Sequence, residues 1–112
     1  MPKNEKAPTV TPSSGNVFAD LGIANAEERQ TKVRLALAIN QILEDRRLSQ
    51  AEAARQLGIN QPKVSALANY RLEGLSVERL MHFLNALGRD VEIVIRSKPR
   101  SRRPARIFVT AA

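Results

Sequence analysis

The residues of this chain that could do chemistry are few and scattered. The single histidine is His82. On a helix it would share a face with Glu78, Asn85 and Arg89, opposite an apolar stripe. That is a surface position rather than the seat of a general base or a metal ligand. Glu44 and Asp45 are neighbouring carboxylates. Adjacent helical residues point about 100° apart, so the two cannot share a proton as a catalytic dyad. There is no cysteine, which removes disulfides and thiolate metal sites. No glycine-rich phosphate loop or cluster of metal-ligand types is present. These residue types give no support for an enzyme, and no cofactor or metal is expected.

Positive charge is abundant. The formal net charge is +7, and Lys98, Arg100, Arg102, Arg103 and Arg106 place +5 of it in residues 97–112, which hold no acid. A basic segment of this kind suits a polyanion such as DNA or RNA, and its plain alternative is a solvated end. Phe108 is the one aromatic residue in the segment, too few to stack single-stranded bases.

The chain has 112 residues, enough for one domain with a compact core but not for a large enclosed site. Aromatic residues make up only 4% of it and hydrophobic residues 43%, so the core must be aliphatic. No apolar run approaches the ~18–20 residues of a membrane span. Met1–Lys6 is not followed by an apolar signal region, so a cytoplasmic location is expected.

The elements that would position any site follow from capping signals and apolar spacing. Residues 1–15, with Pro2, Pro8 and Pro12, read as a disordered arm. Asn16–Ala24 reads as an irregular or short helical segment. Asn25 looks like an N-cap, with Glu27 and Glu28 in the following turn. A helix should then run from about Ala26 to Arg46. Its apolar residues Val33, Leu35, Ala36, Leu37, Ile39, Ile42 and Leu43 predict burial on more than one side. Ser49 with Glu52 is a capping box, opening a short helix over Gln50–Leu57 that Gly58 stops. Asn60 caps a third helix over Gln61–Asn69, and Pro62 falls in its first turn. Ser76 caps a fourth over Val77–Leu87, with Leu75 and Leu80 as a hydrophobic staple and Gly88 as its end. Asp90–Arg96 alternates as a strand would, and Arg106–Thr110 reads as a second.

Gln50–Asn69 has the layout of a helix-turn-helix. That motif packs two short helices at a steep angle and lays the second in the DNA major groove. Ala54 is small where the helices must cross. Gly58 stands in the tight turn. Ala53, Leu57, Ile59, Val64 and Leu67 are apolar where the pair must be held to the rest of the domain.

Residues 49–69, SQAEAARQLGINQPKVSALAN, resemble the XRE/Cro-repressor helix-turn-helix family. Asn16–Gly22, Gln50–Ala54, Gln61–Ser65, Leu75–Leu80 and Leu87–Val91 extend the likeness to its HigA-like antitoxin branch, over roughly residues 16–96. The resemblance implies a mainly α fold, a lambda-repressor-like bundle of four to five helices plus a C-terminal β-strand or hairpin. It implies DNA-binding roles for Gln50, Gln61, Pro62, Lys63, Ser65, Asn69 and Arg71. Gln50 would donate to a phosphate and brace the reading residue. Gln61 would head the recognition helix, its amide suited to adenine N6 and N7. Lys63 would point the same way, toward guanine or a phosphate, with Ser65 one turn further in. Pro62 replaces the commoner polar residue and would pack on a thymine methyl. Asn69 and Arg71 would clamp the backbone. Arg55, on the first helix of the motif, reads as solvated or near a phosphate.

One recognition helix spans few base pairs, so such proteins pair on half-sites about one DNA turn apart. A strand at Val91–Ile95 needs a partner strand. A second chain would supply it in a homodimer, or Arg106–Thr110 would fold back after the basic loop Ser97–Ala105. The chain thus divides into an arm (1–15), a helix-turn-helix domain with a dimerisation strand (16–96) and a basic tail (97–112). The resemblance implies a repressor that binds its own double-stranded operator and neutralises a RelE/HigB-type mRNA-cleaving toxin. The alternatives are a stand-alone regulator with no toxin, and a protein-interaction module that has lost DNA binding.

Overall fold

The computed structural model describes the backbone of residues 16–111 and the side chains of 25–111. The expected arm at 1–15 lies outside the described residues. Four helices follow one another: α1 (Asn16–Asp45), α2 (Gln50–Leu57), α3 (Gln61–Ala68) and α4 (Val77–Ala86). α1 packs against α4 and α3, and α2 packs against α3 and α4.

Local capping chemistry sets most of the boundaries. Ser49 accepts from the Glu52 backbone N–H at 3.1 Å, and the Glu52 carboxylate accepts from the Ser49 N–H at 2.9 Å, completing the expected capping box. Asn60 and Ser76 likewise accept from the backbone N–H groups of Lys63 and Arg79. Gly58 and Gly88 stand at φ +71° and +82°, as the turns they make require.

α1 departs from expectation at its start. Asn25 is not an N-cap; it lies inside a helix that begins at Asn16. A cap residue followed by acids permits a helix to start but does not force one. Ala24 and Ala26 flank Asn25, and no proline interrupts the run, so the helix continues through it. With 30 residues it extends about 45 Å. Its buried face is narrower than expected. Leu35, Ala36, Ile39, Ile42 and Leu43 are buried, whereas Val33 and Leu37 are exposed. Over its described side chains, α3 and α4 cover one side of α1 only.

The core is aliphatic apart from Phe83, close to what the composition implies. Ile39, Leu67, Leu80 and Leu87 are its largest fully buried side chains, joined by Val64, Leu57, Leu72, Leu75, Phe83 and Leu84. Two polar ties cross it. The Asn40 amide donates to the Leu67 carbonyl at 3.1 Å, and the Arg46 guanidinium donates to the Leu87 carbonyl at 2.6 Å.

The expected β-structure does not form. Neither Asp90–Arg96 nor Arg106–Thr110 is a strand, and no strand occurs among the described residues. A strand is defined by a ladder, and within one chain these two stretches do not pair. Alternation does not bury one side either, since Ile93, Val94 and Ile95 are all exposed. Only Val91 and Val109 pack against the core. The tail instead meets α1 through side chains. The Ile107 N–H donates to the Glu27 carboxylate at 3.2 Å, and the Arg34 guanidinium lies 4.2 Å from the centre of the Phe108 ring. Arg106 stacks on the same ring at 5.0 Å.

Candidate nucleic-acid interface

The surface left open by this packing is built on α2 and α3. Ala53, Ala54 and Leu57 bury one side of α2, and Val64 and Leu67 bury one side of α3. Ala54 and Gly58 sit where the two helices turn against each other. The Gly58 and Ile59 N–H groups both reach the Ala54 carbonyl, at 2.8 and 3.1 Å. That turn fixes the angle between the helices without any long side chain. Asn40 then ties the last turn of α3 to α1.

The expected contact residues lie on α2, on α3 and just after α3. Gln50 is the first residue of α2 and Gln61 the first of α3, and both are exposed. Pro62 and Lys63 are exposed, and Ser65 is half-buried. Asn69 ends α3 and Arg71 follows it, both exposed.

Their directions differ from expectation in one respect. Lys63 does not point the same way as Gln61. Two residues along a helix is a rotation of about 200°. With Val64 and Leu67 turned inward, the centre of the outward face falls on Pro62 and Asn69. Gln61, with Ser65 one turn on, flanks it on one side and Lys63 on the other. Asn69 is also partly engaged: its amide donates to the Ser65 carbonyl at 2.8 Å, which leaves one N–H for any outside partner.

Charge on this face is mixed, not uniformly basic. Lys63, Arg71, Arg47 and Arg55 are exposed around it, and Glu52 lies among them on α2. Glu52 is held below the usual carboxylate range, first by the Ser49 backbone N–H and then by the Ser49 hydroxyl, with the Arg55 charge adding to both. It therefore serves as a helix cap. His82 is exposed and 3.8 Å from Glu78, a surface pair on α4 away from this face. Glu44 and Asp45 are exposed, and Asp45 accepts from Gln41.

Two residues at the edges of the motif carried no signal in the sequence. Arg47 and Tyr70 adopt φ of +54° and +58°, a region that glycine enters most readily. A polar residue at the C-terminal end of a helix does not announce that conformation: Arg47 reads simply as a basic residue suited to the end of α1.

Comparison with known proteins agrees with this geometry. Residues 17–96 match the model of a helix-turn-helix domain family. A solved structure named as an XRE family transcriptional regulator is similar to this chain at 72% identity, with a TM-score of 0.75. The similarity covers 79% of this chain and 99% of that one. No curated protein matches. The match spans the motif and both helices that bury it, so the chain belongs to the helix-turn-helix domain family and, with its solved neighbour, to the XRE family of transcriptional regulators.

Proposed function

We propose that this chain is a sequence-specific repressor that reads a double-stranded DNA operator with α3. The observation that carries the reading is the division of α3 into two sides. Val64 and Leu67 are locked in the core, while Gln61, Pro62 and Lys63 stand exposed at the end that enters a groove first. Gln61 reads an adenine edge, and Pro62 packs on a thymine methyl. Lys63, on the opposite flank, meets a phosphate or a guanine, with Ser65 deeper on the Gln61 side. Gln50, Asn69 and Arg71 anchor the backbone. Titrating the chain with the DNA upstream of its own gene tests this. Gln61→Ala lowers discrimination between that DNA and unrelated duplex by roughly 1–3 kcal/mol. No binding at moderate salt by the native chain overturns the reading.

The repressor acts as a homodimer. Ile93, Val94 and Ile95 are exposed on a stretch whose backbone finds no ladder among the described residues. A second copy satisfies both needs. Sedimentation that gives a monomer at micromolar concentration excludes this. The likeness to HigA-type antitoxins supports a further role, neutralising an mRNA-cleaving toxin. An adjacent small open reading frame whose product co-purifies with this chain supports that role. Its absence favours a stand-alone regulator.

A further inference from the structure

All four helices end with the same turn. One residue enters the left-handed region, and the N–H of the next returns to a carbonyl in the last helical turn. In α1 the left-handed residue is Arg47, and the Leu48 N–H reaches the Leu43 carbonyl at 3.1 Å. In α2 it is Gly58, with Ile59 to Ala54 at 3.1 Å. In α3 it is Tyr70, with Arg71 to Ala66 at 2.8 Å, and in α4 Gly88, with Arg89 to Leu84 at 2.9 Å. A Cβ built on Gly58 or Gly88 meets nothing within 4 Å, so the backbone angle alone explains those glycines. By the same logic glycine would suit the other two turns.

Arg47 and Tyr70 are the only non-glycine residues with positive φ among the described residues. They bracket the motif, one just before α2 and one just after α3. Non-glycine residues held at strained backbone positions cluster where side-chain atoms are used. Folding does not use these atoms by any polar contact. Arg46 spends its guanidinium on the Leu87 carbonyl, but among the described residues no hydrogen bond or ion pair engages that of Arg47. The Tyr70 hydroxyl has no hydrogen-bond partner among them either. Tyr70 lines a cleft of about 100 Å³ together with Arg29 and Lys32 of α1 and with Glu73, and Lys32 is already paired with Glu28 at 3.5 Å. The phenol O–H and the Arg29 guanidinium in that cleft are donors suited to phosphate oxygens.

We infer that Arg47 and Tyr70 grip the sugar–phosphate backbone of DNA at the two ends of the motif. The inference rests on the repressor reading above. Contacts of this kind fix the register of α3 in the groove and carry no sequence information.

The test is a fluorescence-anisotropy titration of the full chain with the duplex upstream of its gene and with unrelated duplex, at several salt concentrations. Arg47→Gly relieves the backbone and should melt no lower than the native chain. It should weaken binding to both duplexes and make the plot of log affinity against log salt shallower by about one. Tyr70→Phe keeps the ring and loses only the hydroxyl. It should melt as the native chain does, bind both duplexes roughly threefold or more weakly, and leave the salt slope unchanged. Native affinity in either variant overturns the paired assignment, as does a loss confined to the upstream duplex. Gln61→Ala is the control: if it weakens the upstream complex while Arg47→Gly and Tyr70→Phe do not, the repressor reading stands and this inference falls. A native chain that binds neither duplex overturns both.

Discussion

The Asn40 side chain reaches across 27 residues of chain to donate to the Leu67 carbonyl at 3.1 Å. Among the described residues it is the side-chain hydrogen bond that ties the α1 scaffold to α3. The same carbonyl also receives the Tyr70 N–H at 3.1 Å, so it stays partnered when the amide is removed. Asn40→Ala should therefore lower stability by only about 1 kcal/mol in urea denaturation. DNA affinity should fall with it, because α3 loses its fixed seat on α1. Asn40→Asp should be worse than Asn40→Ala, since a carboxylate cannot donate and faces a carbonyl oxygen.

Gly58 sets the turn between α2 and α3 at φ +71° with open space where a Cβ would stand. Gly58→Ala then meets no clash and bears only the left-handed backbone penalty, about 1–2 kcal/mol. Thermal denaturation should show a Tm lower by several degrees. Gly58→Asn should recover part of that loss, because asparagine tolerates this region better.

Glu52 is lowered from the ordinary carboxylate value of 4.5 by the Ser49 N–H and hydroxyl. A folded-state value below the unfolded one means the stabilisation is fully present above the unfolded value. It is lost as pH falls through the folded value. The Tm difference between the native chain and Glu52→Gln should be constant near neutrality and close as the solution is made acid. A difference that persists unchanged into acid would show that the carboxylate charge contributes nothing to the cap.

Leu80 of α4 is fully buried in the core, at 0% exposure. Leu80→Ala should cost about 2–5 kcal/mol, depending on how far the core closes over the gap. Domains of this size are stable by about 5–15 kcal/mol, so that loss leaves a marginal fold. Circular dichroism melts would report it directly. His82→Ala, on the opposite face of the same helix, should change the melt little.

Features set by neighbours within four residues were legible in the sequence. Ser49, Gly58, Asn60, Ser76 and Gly88 each act through a backbone group a turn away, so residue type and spacing suffice. The motif was legible for the same reason: its small, glycine and apolar positions answer to one local geometry. Features set by distant partners were not. Whether Val33 and Leu37 are covered depends on which side of α1 the other helices choose. Whether residues 90–96 form a strand depends on a second strand, which the described residues do not supply. The start of α1 was misplaced because Asn25 has a cap's chemistry but its neighbours continue the helix. The orientation of Lys63 relative to Gln61 was different in kind, since helical rotation alone fixes it once Val64 and Leu67 are taken as core. Arg47 and Tyr70 were hidden because their conformation is the one glycine usually signals.

The bond from Arg46 to the Leu87 carbonyl joins the end of α1 to the end of α4 over 41 residues. The whole helix-turn-helix motif lies inside that closed span, yet the span does not hold its own core together. Val64 and Leu67 are covered from outside it, by the earlier turns of α1. The reading segment is therefore not portable. Grafted onto another protein as residues 49–69, it would lose the wall it rests on. The smallest piece that can be transplanted with its specificity intact starts well inside α1 and ends beyond Gly88.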